Sequence, residues 1–203
     1  VYLAPLPLLL VGLDHGIKAA TAAGLSGIIV TGLIGGAMSG VLFSVIHALP
    51  AWIIVRQGLL KLPAADGKTE EWYPVGSILC LLSVFCTGLL TVAMFWSLGE
   101  DGGLHDIVQS YLGLVFAYMM PTMDEVVRGD LVQTISPLFP GYMGTSWVVM
   151  AVVNASIAAA ILTRAKRFKR PKSKLADLSL PDWMSWFLIA AAVMALLGQG
   201  ELE

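Results

Sequence analysis

The sequence predicts an all-α, polytopic membrane helix bundle. Hydrophobic residues make up 57% of the 203 positions and charged residues only 13%, against roughly 25% charged residues in soluble domains. Long uncharged runs alternate with short charged segments. The densest of these segments, RAKRFKRPKSK at 164–174, carries seven of the twelve basic residues and lies between two apolar runs. These three observations predict several membrane spans whose direction is set by one basic loop.

The apolar runs give the spans in order. Residues 19–55 contain no charged side chain, and as one helix they would extend about 55 Å across a hydrocarbon core of about 30 Å. The chain must therefore turn, and the pair Gly35-Gly36 suits a tight turn. The expected spans are 17–34, 37–55, 75–98, 141–163 and 183–200, preceded by a partial span at 2–13. The chain begins with Val1 rather than Met, and its opening lacks the basic region and the cleavage site of a signal peptide. We therefore expect the chain to be incomplete at both ends.

The segment 104–120 is apolar but carries Asp106, Gln109 and Ser110. A further span here would reverse the side of every later loop and would spoil the charge asymmetry described next. It is therefore expected to form an external interfacial helix.

Basic residues predict the orientation. Short loops rich in Lys and Arg stay on the cytoplasmic side, so 164–174 is placed there. Alternating sides at each span then puts eleven of the twelve basic residues inside and Arg128 alone outside. The residues that determine this topology are Arg164, Lys166, Arg167, Lys169, Arg170, Lys172 and Lys174.

Four residues are candidates for ligand binding. His47 and Asn154 lie near the middle of predicted spans, where a polar group needs a partner. That partner is either another helix, through an interhelical hydrogen bond, or a ligand. Pro5 and Pro7 interrupt an apolar run, so they indicate either a broken helix that lines a cavity or a simple kink near the end of a span.

Gly32, Gly36 and Gly40 repeat at four-residue spacing. Small residues let membrane helices approach closely, so this face serves either packing within the chain or docking of another subunit. At the end of the first segment, Asp14 and Lys18 have the i,i+4 spacing of a helical ion pair.

The sequence lacks the marks of the common enzyme classes. It has no zincin, nucleophile-elbow, Walker A, EF-hand or paired-cysteine zinc motif. His105 with nearby methionines is better explained by helix packing than by a soft-metal site. The net charge of −2 gives no reason to expect a nucleic-acid partner. We therefore expect no enzyme activity, no cofactor and no metal.

Several local patterns resemble the YybS-like family of uncharacterised bacterial multi-pass proteins, particularly its alphaproteobacterial form. They are YLAPLPLLLVGLDHG at 2–16, ALPAW at 48–52, WYPVG at 72–76, and LPDW at 180–183 after the Asn154 span and the basic loop. That family is similar to the S components of energy-coupling factor transporters. The resemblance implies a six-helix core plus at least one extra helix, a ligand pocket near the outer face, and a bacterial inner-membrane location.

Two functions are compatible with these patterns. The first is a solute-binding or permease-like transport subunit with a polar cavity beneath 100–140, because the first segment is interrupted and His47 and Asn154 lie at mid-membrane. The alternative is a non-catalytic accessory or assembly subunit of a larger membrane complex, because the chain has a small-residue face and few buried charges. The expected partners are the lipid bilayer, other membrane subunits and a small-molecule solute.

Overall fold

The computed structural model describes residues 2–63, 68–99, 102–171 and 178–198, and these are mostly helical. The helices are α1 (Pro5–His15), α2 (Ile17–Gly35), α3 (Ala37–Phe43), α4 (Leu49–Gly58), α5 (Val75–Ser97), α6 (Gly103–Met119), α7 (Glu125–Ile135), α8 (Phe139–Arg164) and α9 (Trp183–Gly198). A π-helical turn at Ser44–Ala48 joins α3 to α4. Strands β1 (Lys61–Pro63) and β2 (Glu70–Trp72) pair antiparallel, with Lys61 opposite Trp72. The all-α class is confirmed, with this small hairpin as an addition.

Among the described residues, four helices are long and apolar enough to cross a membrane: Ile17–Gly35, Ala37–Gly58, Val75–Ser97 and Phe139–Arg164. They match four of the five complete predicted spans to within a few residues at each end. The chain is therefore a membrane protein. Helix α9 is apolar but shorter than a span over its described part, and the predicted span at 183–200 extends beyond the described residues. The six-helix core stays a prediction.

The chain divides into two compact units, Val1–Leu82 with Ala151–Glu203 (unit 1) and Ser83–Met150 (unit 2). In unit 1, α1, α2 and α4 converge on Gly12. A Cβ atom at Gly12 would lie 2.9 Å from the Ala20 Cβ and 2.5 Å from a Val55 methyl. The missing side chain thus lets three helices meet, which is how membrane helices gain van der Waals contact.

Helices α1 and α2 are separated by Gly16, whose φ is 96°. This left-handed backbone is available to glycine at no steric cost, so the helix ends here and a new one starts. The sequence analysis also ended the first segment in this region, at residue 13, and began the next span at residue 17. It left Pro5 and Pro7 as either a break or a kink near the end of a span, and the structure places both in the first turn of α1 (Pro5–His15). A proline in the first turn removes an N–H that has no helical partner in any case.

The turn between α2 and α3 lies at Gly36, where φ is 83°, so the predicted break at Gly35-Gly36 is confirmed. Beyond the turn the two helices touch through glycines. A Cβ atom at Gly40 would lie 3.1 Å from the Ile28 carbonyl oxygen and 3.3 Å from the Gly32 Cα. The backbones of α2 and α3 are therefore in direct contact at this crossing.

Unit 2 contains α6, which matches the predicted helix at 104–120, and α7, which the sequence analysis did not predict. Helix α7 starts at the N-cap Asp124, whose carboxylate accepts a hydrogen bond from the Val126 N–H at 2.9 Å. Within this unit Phe85 stacks on Trp147 with ring centroids 5.9 Å apart. The interfacial position of α6 stays a prediction.

Candidate functional site

Four helix termini of unit 1 surround one cavity. Leu13 near the end of α1, Gly58 at the end of α4, Val75 at the start of α5 and Thr163 near the end of α8 all line it. These termini, together with residues 164–171, are called the basic end of unit 1. The sequence analysis placed the loops at these termini on the cytoplasmic side of the membrane, and that placement stays a prediction.

The cavity has a volume of about 640 Å³. One wall is a face of α5 at Val75, Ile78, Leu79 and Leu82, with the i, i+3, i+4, i+7 spacing of one helix side. The opposite wall is a face of α8 formed by Val152, Ala155, Ser156, Ala159, Ala160 and Thr163. Small residues on α8 leave space that the branched side chains of α5 do not fill.

A guanidinium group lies in this otherwise apolar wall. Arg170 is half-buried and lines the cavity beside Phe168 and Pro171. Burial lowers the pKa of the Arg170 guanidinium, because desolvation disfavours the charged form, yet arginine stays protonated near neutral pH. Among the described residues, no aspartate or glutamate lines the cavity. The site is therefore an apolar space with one positive charge at its edge.

An ion pair holds the segment that follows α8. Arg167 Nη2 lies 2.6 Å from Asp14 Oδ2, and His15 Nδ1 lies 3.4 Å from the same oxygen. Asp14 is only 12% exposed, whereas Arg167 is 55% exposed. The expected pairing of Asp14 with Lys18 gives way to this one because Gly16 ends the helix between them. The carboxylate therefore joins α1 to the basic segment.

A second contact fixes the same region to α5. Gly76 packs so closely on the backbone of Ser179 and Leu180 that a Cβ atom would overlap the Ser179 carbonyl group. Ser179 and Leu178 also line the cavity. The described residues on both sides of 172–177 are thus attached to the helices that form the walls.

His47 lies in the π-helical turn, away from this cavity. Its ring is tilted by 56° to the Phe43 ring, with centroids 5.6 Å apart. Its Nδ1 atom is buried and has no hydrogen-bond partner among the described residues. The extra residue that a π-helical turn inserts is frequent at functional sites, but His47 does not line the cavity at the basic end.

Asn154 is 1% exposed, and its Nδ2 donates a hydrogen bond of 2.8 Å to the Tyr2 carbonyl oxygen. The amide thus joins α8 to the turn that precedes α1. This partner is a backbone group outside the helices, which differs from the helix-to-helix bond considered from the sequence. Asn154 does not line the cavity, although Val152 and Ala155 beside it do. Neither His47 nor Asn154 therefore contributes to the cavity at the basic end.

The other predicted residues have separate positions. Gly32 and Gly40 contact each other inside the chain, and Gly36 forms the turn between them. Pro5 and Pro7 begin α1 and do not line the cavity. Of the seven topology-determining residues, Lys172 and Lys174 lie outside the described residues.

The cavity at the basic end and the place of Arg170 in its wall were not predicted from the sequence. The polar cavity expected beneath 100–140 stays a prediction. Arg170 was treated only as one of seven topological charges. The signal that distinguishes it is weak, since only the neighbouring Phe168 and Pro171 show that this part of the loop is less polar.

Comparisons of the chain with family models, curated proteins and solved structures gave no match. The function must therefore be argued from the site itself.

Proposed function

We propose that this chain is a solute-binding or permease-like subunit of a transport system in the bacterial inner membrane, related to the YybS-like proteins, with the basic segment 164–174 in the cytoplasm. The observation that supports the proposal is the cavity at the basic end of unit 1. Its volume of about 640 Å³ is within the range of about 300–1,000 Å³ typical of small-molecule sites. The proposal includes no catalytic activity, cofactor or nucleic-acid partner.

The proposed orientation rests on charge. The basic end carries Arg164, Lys166, Arg167 and Lys169, and clusters of this kind in short loops are retained in the cytoplasm. The cavity then lies toward the cytoplasmic face. This differs from the pocket near the outer face that the family resemblance implied.

A cavity-filling substitution tests the function. Ala159 lines the cavity and Ile161 is exposed on the other side of α8, so Ala159→Phe and Ile161→Phe add an aromatic ring inside and outside the cavity. Full-length protein would be purified from its native membrane in mild detergent, and co-purifying small molecules and proteins would be identified by mass spectrometry. Loss of a bound solute from Ala159→Phe but not from Ile161→Phe would support the proposal.

The alternative is a non-catalytic accessory or assembly subunit. It is favoured by apolar side chains that remain uncovered at the α2–α3 turn, where Leu33 is 81% and Ile34 84% exposed. Gly32 and Gly40 do not add to this argument, because they already pack on each other. Recovery of a membrane complex in fixed ratio, with no small molecule, would favour this alternative.

A further inference from the structure

We propose that the cavity at the basic end of unit 1 binds an anionic amphiphile, a molecule with an apolar chain and one carboxylate or phosphate group, and that Arg170 contacts the anionic group. This inference rests on the proposed solute-binding function and names the class of its ligand. It concerns a different site from the expected pocket beneath 100–140.

The walls select an apolar chain. Ile78, Leu79 and Leu82 of α5 face Val152 and Ala155 of α8 across the cavity. Neither wall offers a charged group to a ligand. An apolar chain placed here loses no hydrogen bonds, whereas a polar solute would find few replacements for its water partners. Besides Arg170, the polar side chains of the described lining are the hydroxyls of Ser156, Thr163 and Ser179. The wall chemistry therefore favours the apolar part of an amphiphile.

Arg170 selects an anionic group. Its guanidinium is partly removed from water, and no carboxylate of the described residues lies within ion-pairing distance of it. A charge in this position gains from a partner that enters with the ligand. The planar guanidinium offers two parallel N–H groups to a carboxylate or phosphate.

Neighbouring basic residues differ from Arg170 in a way that supports the assignment. Arg167 is already paired with Asp14 at 2.6 Å. Lys169 is exposed and does not line the cavity. Within the described part of 164–174, Arg170 is thus the basic residue that combines partial burial with a place in the cavity wall.

Binding of radiolabelled dodecanoate to the purified full-length chain in nonionic detergent tests the proposal. Binding to the Ala159→Phe variant measures the background uptake by detergent micelles. We expect saturable binding to the wild type, weakened about tenfold or more in Arg170→Gln because a charge-assisted contact is lost. Lys169→Gln should bind as the wild type does, and Arg170→Lys should recover part of the affinity.

Competition with unlabelled molecules shows which part of the ligand the cavity recognises and whether the ligand is a membrane lipid or a free molecule. Unlabelled dodecanol, which has the chain without the charge, and inorganic phosphate, which has a charge without the chain, should compete poorly. Strong competition by phosphatidylglycerol would identify the source as a membrane lipid. Weak competition by that lipid, with strong competition by unlabelled dodecanoate, would identify a free single-chain amphiphile.

Three results would overturn the inference. These are equal affinity in Arg170→Gln and wild type, equal weakening by Lys169→Gln, and competition by dodecanol as strong as by dodecanoate. A neutral solute that is lost from Ala159→Phe but unaffected by Arg170→Gln would overturn the ligand class and leave the proposed function standing. No dodecanoate binding, together with no co-purifying small molecule, would overturn both.

Discussion

Asp14 and Arg167 form an ion pair that connects the first helix of unit 1 to the segment after its last long helix. The carboxylate and guanidinium approach to 2.6 Å, and the carboxylate is largely removed from solvent. The pair holds the basic segment next to the cavity wall. Together with the close contact between Gly76 and Ser179, the ion pair attaches the segments on both sides of 172–177 to the helices.

Removal of this ion pair should lower stability modestly. In Asp14→Asn we expect the free energy of unfolding to fall by about 1 kcal/mol, since Arg167 is half exposed and solvent screens the pair. Thermal unfolding of the detergent-purified chain, followed by circular dichroism, measures the effect. Lys18→Gln is the control and should change nothing. An equal loss in Lys18→Gln would instead indicate the i,i+4 pair expected from the sequence.

A methyl group at Gly76 should displace the segment next to it. Because a Cβ atom there overlaps the Ser179 backbone, Gly76→Ala should detach residues 178–180 from α5. Hydrogen exchange measured by mass spectrometry should then rise over that segment. The matched control is Gly113→Ala in α6, where a Cβ atom meets nothing within 4 Å. Unchanged exchange in Gly76→Ala would contradict the close contact.

A large side chain at Gly40 should separate α2 from α3. The backbone atoms of Ile28 and Gly32 that face Gly40 cannot move aside like a side chain, so Gly40→Leu should cost about 1–3 kcal/mol through overpacking. Gly88→Leu places the same side chain in α5, where a Cβ atom meets nothing within 4 Å. Only the Gly40 variant should lower the unfolding temperature, and similar losses in both would argue against the crossing.

Replacement of His47 by leucine and replacement of Asn154 by leucine should have different effects on stability. Asn154→Leu leaves the Tyr2 carbonyl oxygen without the amide donor and should cost about 1–2 kcal/mol of stability. His47→Leu removes a buried nitrogen that has no hydrogen-bond partner among the described residues. It should therefore leave the unfolding temperature unchanged or higher. A marked loss of stability in His47→Leu would show that the imidazole makes a necessary contact.

Single-cysteine labelling tests the orientation. Cysteine would be placed at Lys18, Lys169 or Gln109 in a chain whose Cys80 and Cys86 are replaced by alanine. A membrane-impermeant maleimide should reach Lys18→Cys and Lys169→Cys only from the cytoplasmic side, and Gln109→Cys only from the outside, because basic loops stay inside. Labelling of all three from one side would refute the proposed topology.

The helices that could be predicted are those bounded by charge or by paired glycines. The run from Ala19 to Val55 is too long for one span, and glycine gives its turn. The division between α1 and α2 follows the polar residues Asp14 and His15, which separate the predicted segment 2–13 from the predicted span at 17–34. The strands β1 and β2 are three residues each and mostly exposed, so they leave no alternating pattern to read.

The site could not be predicted to the same degree. Its walls depend on which faces of α5 and α8 meet, and both helices are apolar all round, so periodicity does not separate a lining face from a lipid-facing one. The sequence analysis predicted polar residues at mid-span as the ligand-binding residues instead. Asn154 bonds to the backbone of Tyr2, while Arg170 was obscured by the other charges of its loop.

Unit 1 is built from two separate stretches of the chain, and this has a consequence for biosynthesis. Its two parts, Val1–Leu82 and Ala151–Glu203, are separated in the chain by the whole of unit 2. A ribosome that adds residues from the N-terminus produces Tyr2 and Asp14 long before their partners Asn154 and Arg167 exist. During that interval α1 and the turn before it lack their contacts with Asn154 and Arg167. Completion of the cavity is therefore a late event of synthesis, and this interval is when a chaperone or an insertase would have access to its walls.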